Sequence, residues 1–489
     1  MRSLAIVFRT LPPLLLGCLA GLLAIYSQPL AAAFALAFLT VGFALLRGRT
    51  RFFKTPYPFR WIPVVWVVLL FVSNIKFQKR DPTLAASGTL SGENAIELTA
   101  YLLVALVVVG VWYHLRLKRT AVKEWPVIAW PLFAVASASW SIIPLFSLVR
   151  AAQLVVVGSF AALCLRLAGR HAELRNTIVL DTLRAFVFVT AVMSLWGLLD
   201  QSAWQSNRFV WPTGAHPIAV GIVVGAALLL VVVGGRPLTR LPLSVHSFLV
   251  VFFALILVLG QNRGILISTS VGLLASPWLT EGRRKYAARL FVFPTLLYGA
   301  FVIALFAGQR ITEYLLRGES ARSLETLTGR TDLWSSALGQ LSSPGQWLHG
   351  FGYGSPRVIL ISLFAWAGQA HNALIELLLG LGVIGAGVAL VSIAKVGYRA
   401  LSVKHASDRV MGAAEGAVFI HLAIAGVVEA SLVLPGFSFV LLTFLYISAS
   451  PPHSVAPTRS KRKLSASVSR SSERVGREDR GVASKGAFE

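Results

Sequence analysis

Long apolar runs, separated by short polar joints, dominate this chain. They fall at about 11–27, 29–46, 61–75, 95–114, 126–142, 147–168, 182–200, 217–234, 243–260, 264–280, 288–307, 372–394, 412–428 and 434–449. A helix of about 20 apolar residues spans the hydrocarbon core of a bilayer, so the pattern predicts an all-α polytopic bundle of about twelve to fourteen transmembrane helices. It divides the chain into N-terminal transmembrane helices (1–125), central transmembrane helices (126–307), a large loop (308–370), C-terminal transmembrane helices (371–449) and a tail (450–489).

The loop at 308–370 is far longer than an ordinary connection, and such loops are usually functional. Within it, "GRTDLWSSALGQL" places Trp334, Ala337, Leu338 and Leu341 at helical spacing after Thr328 and Gly329. That predicts an amphipathic helix suited to lying on the membrane surface. "VILISLFAWAG", after Arg357, is apolar but too short to span, which predicts a re-entrant or interfacial segment. "HGFGYG" lacks the Lys-Ser/Thr ending of a phosphate loop, and a tight turn is the better reading. Gly380, Gly382, Gly385 and Gly387 are suited to close helix packing.

Composition agrees with the pattern: 13% of the 489 residues are charged and 56% are hydrophobic. The net charge of +25 would suggest nucleic acid in a soluble domain. Here most Lys and Arg lie in short joints such as "RGRTRFFKTPYPFR", "HLRLKRTAVK", "RLAGRHAELR", "EGRRKYAAR" and "AKVGYRALSVKHASDR", so the charge reports orientation and no nucleic-acid partner. An inside N-terminus puts all five joints on the cytoplasmic side and makes the 308–370 loop periplasmic. The first apolar run lacks a small-residue cleavage site and is expected to be retained. The tail from 451 is Ser-rich and basic, too poor in apolar residues to offset ordering entropy, and is expected to be a disordered cytoplasmic segment resting on anionic lipid. Cys18 and Cys164 lie inside apolar runs and support neither a disulfide framework nor a zinc site.

This orientation puts Arg150, Arg208, His216, Arg263, Arg330, His349, His371, Asn372 and Glu376 at one face, although they come from distant segments. Ionisable groups at membrane depth cost roughly 2.5–3.5 kcal/mol on insertion scales unless paired or wet, which makes a site the default expectation. Arg263 carries the strongest signal, because "VLGQNRGILIST" leaves almost no loop between two apolar runs. A snorkelling arginine explains many such positions; the other cations on this side favour a site. Arg330, beside Gly329, suits either a solvated helix surface or a phosphate. For His371 a polar helix cap is the plainer alternative, and for Asn372 and Glu376, four residues apart, a structural pair. With no DxD-like carboxylate pair on this face, a metal-bound nucleotide sugar is a poor donor candidate.

The segments "ASASWSIIPLFSLVRAAQL", "RFVWPTGAHPIAVG", "LGQNRGILIS", "LTGRTDLWSSAL" and "HGFGYGSP" with "AHNALIELLLGLGVIG" resemble, in the same order, recurring segments of the bacterial O-antigen ligase and polysaccharide polymerase superfamily. The likeness covers roughly 130 to 385, and the basic tail departs from the family pattern. The resemblance implies metal-independent, cofactor-free glycan transfer at the periplasmic face of the bacterial inner membrane. The implied donor is an undecaprenyl diphosphate-linked glycan, and the acceptor a glycan or lipid A–core, all within membrane lipid. Arg263 and Arg330 match the diphosphate-contacting arginines and His371 the reactive histidine. Arg150, Arg208, Asn372, Glu376 and Trp334 are the candidate substrate-binding residues. A multi-pass transporter or flippase for a lipid-linked or anionic substrate is the alternative, but no internal repeat supports it.

Overall fold

A computed structural model describes residues 54–56, 59–74, 95–115, 125–168, 172–200, 203–205, 208–213, 215–279, 329–402 and 409–450. The apolar runs at 11–27, 29–46 and 288–307, the first part of the 308–370 loop, Cys18 and the tail from 451 lie outside these residues. The described helices are α1 (Trp61–Val72), α2 (Ala95–Leu115), α3 (Trp125–Ala136), α4 (Pro144–Ala168), α5 (Ala172–Leu199), α6 (Pro217–Thr239), α7 (Leu243–Leu259), α8 (Arg263–Leu279), α9 (Arg330–Gly339), α10 (Pro344–His349), α11 (Pro356–Leu363), α12 (Ala373–Leu401), α13 (Arg409–Val428) and α14 (Phe437–Ser448). Among the described residues the only strands are β1 (Trp204–Gln205) and β2 (Arg208–Phe209), an antiparallel pair that sets Gln205 opposite Arg208.

Helices α2, α4, α5, α6, α12 and α13 are long and apolar enough to cross a membrane, and α1, α3, α7 and α14 are shorter apolar helices. The chain is therefore a helical, multi-pass membrane protein. Helices α6, α8 and α13 pack most closely, and small residues permit the approach. A Cβ on Gly225 of α6 would meet Thr269 Oγ1 at 2.6 Å and His421 Cε1 at 2.8 Å, and one on Gly272 of α8 would meet Ala417 O at 2.9 Å. Where lipid is as apolar as the side chains, such close backbone contact and interhelical hydrogen bonds hold helices together. The buried His421 supplies them: Nδ1 lies 2.9 Å from Ser268 Oγ and Nε2 lies 3.1 Å from Ile222 O, tying α13 to α8 and α6.

The helix limits follow the apolar runs, with one large difference. Helix α5 starts at Ala172, about ten residues before its apolar run, because Glu173, Arg175 and Asp181 mask the helix in hydropathy. The structure shows how the polar turns are buried. Asp181 pairs with Arg184 at 3.1 Å and accepts from the Lys54 and Thr55 amides at 2.8 and 2.6 Å.

Helix α12 is broken where the glycine cluster predicted only close packing. Gly382 has φ 64° and ψ −172°, which frees the carbonyls of Leu379 and Gly380 from the helix ladder. They accept instead from the backbone N–H groups of Phe351 and Gly352, each at 2.8 Å. The tight turn of "HGFGYG" thus fills the break, with Gly350, Gly352 and Gly354 at positive φ. Non-helical backbone at membrane depth is tolerated where protein satisfies it in this way. Gly385 does pack closely, a Cβ there meeting Phe133 at 2.6 Å, whereas Gly387 faces open space.

Residues 329–370 corrects a second expectation. Helix α9 forms where predicted, but Leu333, Ala337 and Leu341 are buried in a small cluster with Leu360, Ala367, Ala370, Ile375 and Leu379, and Trp334 and Leu338 pack against it. The apolar face is taken by α11 and α12, so it is not left for a membrane surface. Sequence periodicity identifies such a face without specifying what covers it.

Candidate functional site

One end of the bundle holds an open cavity of about 950 Å³. Its wall is built from the N-terminal turns of α2 (Glu97), α4 (Phe146, Arg150), α6 (Ile218), α8 (Arg263, Gly264, Ile265), α9 (Arg330), α11 (Arg357) and α12 (Glu376), with Arg208 from the strand pair and His371 before α12. The C-terminal ends of α1 (Ser73) and α13 (Val428) complete it. Helix N-termini carry partial positive charge and unpaired N–H groups, so their convergence favours an anion even before side chains are counted. Among the described residues, five guanidinium groups then line the space, from Arg150, Arg208, Arg263, Arg330 and Arg357, with Glu97 and Glu376 as the carboxylates on the wall.

The segment before α12 is held residue by residue. The Gln369 amide donates to Glu429 Oε1. Ala370 N donates to Glu376 Oε2 at 2.8 Å, and Ala370 O accepts from Trp334 Nε1 at 2.8 Å. His371 takes up φ 49°, a left-handed conformation uncommon for a side chain of its size, and its Nδ1 lies 3.1 Å from Glu429 Oε2. Asn372 Oδ1 accepts from the N–H groups of Leu374 and Ile375, capping α12, while its Nδ2 donates to Val427 O at 3.0 Å. The Trp366 ring stacks on His371 with centroids 6.0 Å apart.

Several sequence expectations are corrected by these contacts. The helix cap is Asn372, and His371 lies outside the helix, engaged with Glu429. Asn372 and Glu376 do not form the structural pair that was the alternative to a site role; each holds a different part of the backbone. Asn372 and Trp334 were candidates for substrate contact, but neither lines the cavity, and both hold the loop that carries His371. His349 also lies off the cavity wall, its Nδ1 2.9 Å from Gly350 O and its ring beside Trp140.

Arg330 follows Gly329, whose φ of 77° turns the chain into α9. Its guanidinium donates to the Val428 carbonyl at 2.7 Å, at the C-terminus of α13, where a cation complements the helix dipole. Burial pulls Arg330 below the usual arginine pKa, and the Glu429 charge pulls it back up. Arg150 is fixed by Glu97 at 3.2 Å and by Gln153 Oε1 at 3.1 Å, and its guanidinium lies over the Phe146 ring. Arg263 opens α8 beside Asn262, whose Nδ2 donates to Pro217 O at 2.7 Å and so ties the start of α8 to the start of α6. His216 lines the cavity and caps α6, accepting from Ile218 N at 3.3 Å.

Glu97, Arg357, Trp366, Gln369 and Glu429 were absent from the sequence-based set. Glu97 and Glu429 had a readable signal: each is a carboxylate at the margin of an apolar run, on the side where the arginines were placed. Among the described residues, no three His, Cys, Asp or Glu side chains gather as a metal centre requires. No protein-family model matches the sequence, and no curated protein matches it.

Proposed function

We propose that the protein is a membrane glycosyltransferase that moves a glycan from a polyprenyl diphosphate to an acceptor sugar, without a metal, at the periplasmic face of a bacterial inner membrane. The observation that carries this reading is one cavity, at the end of the transmembrane helices, shared by five arginines and a histidine backed by a carboxylate. Breaking a sugar–phosphate bond develops negative charge on the departing diphosphate. Guanidinium groups held in place before the reaction stabilise that charge without reorganising. Arg263 and Arg330 are assigned to the diphosphate, with Arg150 and Arg208 adding to the positive field.

The acceptor hydroxyl must lose a proton as the new bond forms, and imidazole is suited to take it near neutral pH. Glu429 engages Nδ1 of His371, which fixes the ring and leaves Nε2 for the acceptor. A carboxylate behind a histidine also stabilises the imidazolium that forms, as in hydrolytic triads. The bond between the anomeric carbon and the phosphate oxygen breaks, the acceptor oxygen bonds to that carbon, and its proton goes to His371.

The transporter reading draws on the broken helix α12, since such breaks form ion sites in transporters. Here the freed carbonyls of Leu379 and Gly380 are occupied by backbone N–H groups of the same chain, which favours the enzyme. Deletion of the gene, with gel analysis of lipopolysaccharide and secreted polysaccharide, tests the function. Core lacking O-chain while free polymer persists identifies a ligase, and loss of chain length identifies a polymerase. Unchanged products of both kinds would contradict the proposal.

A further inference from the structure

Among the described residues, Phe146, Tyr353 and Trp366 bring their rings to the cavity, and they are not equivalent. Phe146 is buried under the Arg150 guanidinium, and Tyr353 is buried with its hydroxyl donating to Val433 O at 2.9 Å. Trp366 is 55% exposed, although it belongs to a loop whose neighbours Ala367 and Ala370 are fully buried. Its ring stacks on His371, and Gly368 beside it has nothing within 4 Å of where a Cβ would stand. An indole that only anchors a protein at the membrane interface has no need to form a cavity wall beside a histidine. Trp347, 40% exposed on α10, does lie off the cavity wall.

We infer that Trp366 is the acceptor-sugar platform: its indole packs against the C–H face of a pyranose ring and presents that sugar's hydroxyl to His371. The inference rests on the glycosyltransfer reading and assigns the acceptor side of the same site. The physical basis is the negative π-face of an aromatic ring, which attracts the weakly positive C–H edge of a sugar while its area removes apolar surface from water. The position next to the proton acceptor assigns the platform to the acceptor and away from the diphosphate, which meets the arginines. The open space over Gly368 leaves room for the rest of the sugar.

The test uses the full chain in lipid nanodiscs. The donor is the lipid-linked glycan extracted from cells lacking the gene. The acceptor, titrated at fixed donor, is the radiolabelled glycan freed from that material by mild acid, which lacks the diphosphate and so cannot donate, or lipid A–core from the same cells. Trp366→Leu keeps an apolar side chain but removes the π-face, and is expected to raise the acceptor KM about tenfold, the scale of an aromatic stacking contact, with donor KM unchanged. Trp366→Phe should retain most of the affinity, and Trp347→Leu should behave as wild type. Size-exclusion profiles report whether each variant is folded. An unchanged acceptor KM in Trp366→Leu, or an equal rise for donor and acceptor in both leucine variants, would overturn the platform while leaving the glycosyltransfer reading intact. Absence of transfer by the wild-type protein would overturn both.

Discussion

At the scale of single residues, the cavity combines cations whose positions the sequence suggests with counter-groups that it hides. Arg150, Arg208, Arg263, Arg330, His371 and Glu376 could be placed at one level because each interrupts or borders an apolar run, and the structure brings all six to one cavity wall. Contacts to remote backbone are a different matter. Nothing near Trp334 in the chain announces that its indole N–H will reach the carbonyl of Ala370, or that Asn372 will reach Val427. Both were candidates for substrate contact; the structure shows each holding the loop that carries His371. Glu429 offers the sharpest test at this scale. The Glu429 carboxylate holds the His371 ring and would stabilise the imidazolium that forms, so its removal should slow proton removal from the acceptor. Glu429→Gln is expected to reduce the plateau rate on the order of tenfold or more, a share of the roughly 10²–10⁴-fold available from general base catalysis. A plateau rate identical to wild type would remove the pairing from the mechanism.

At the scale of elements, the break in α12 decides how the loop of 349–356 is held. Hydropathy shows one continuous run through Gly382, because glycine and its neighbours are equally apolar whether or not the helix continues. Only the three positive-φ glycines of "HGFGYG" hint that backbone must fit against backbone, and the hint does not say where. The fit is tight: a Cβ on Gly382 would lie 2.3 Å from the Leu348 carbonyl. Gly382→Ala therefore meets both a clash and a backbone region nearly closed to side chains, together a cost of about 1–3 kcal/mol or more. Its melting temperature in detergent should fall by several degrees, with loss of activity as the loop shifts. Gly387→Ala, facing open space in a regular turn, should be neutral or slightly stabilising. Equal melting of the two variants would show that the break is not constrained as described.

At the scale of the whole molecule, the helical, multi-pass character was legible because transmembrane length is a physical requirement that the sequence must meet; among the described residues six helices meet it, against the twelve to fourteen expected. The start of α5 was not legible, since Asp181 is held by Arg184 of the same helix and by the remote Thr55 amide, which hydropathy does not show. Which end of the bundle faces outward is predicted by the positions of Lys and Arg and is directly measurable. In a background lacking Cys18 and Cys164, Gly339→Cys lies at the cavity end on the exposed side of α9, and Ser244→Cys lies at the opposite end of the bundle. A membrane-impermeant thiol reagent added to intact cells with a permeable outer membrane should label position 339 and spare position 244. Labelling of 244 alone would reverse the orientation and put the cavity on the cytoplasmic side.

The central claim is that Arg263 and Arg330 grip a lipid-borne diphosphate, and the most direct test is glycan transfer by the purified protein in vesicles containing a chelator. Wild type should release one polyprenyl diphosphate for each glycan transferred. Arg263→Ala and Arg330→Ala should fold and insert yet transfer nothing measurable, and the lysine variants should recover only part of the rate, since lysine keeps the charge but lacks the planar fork. Normal turnover by both alanine variants would contradict the account.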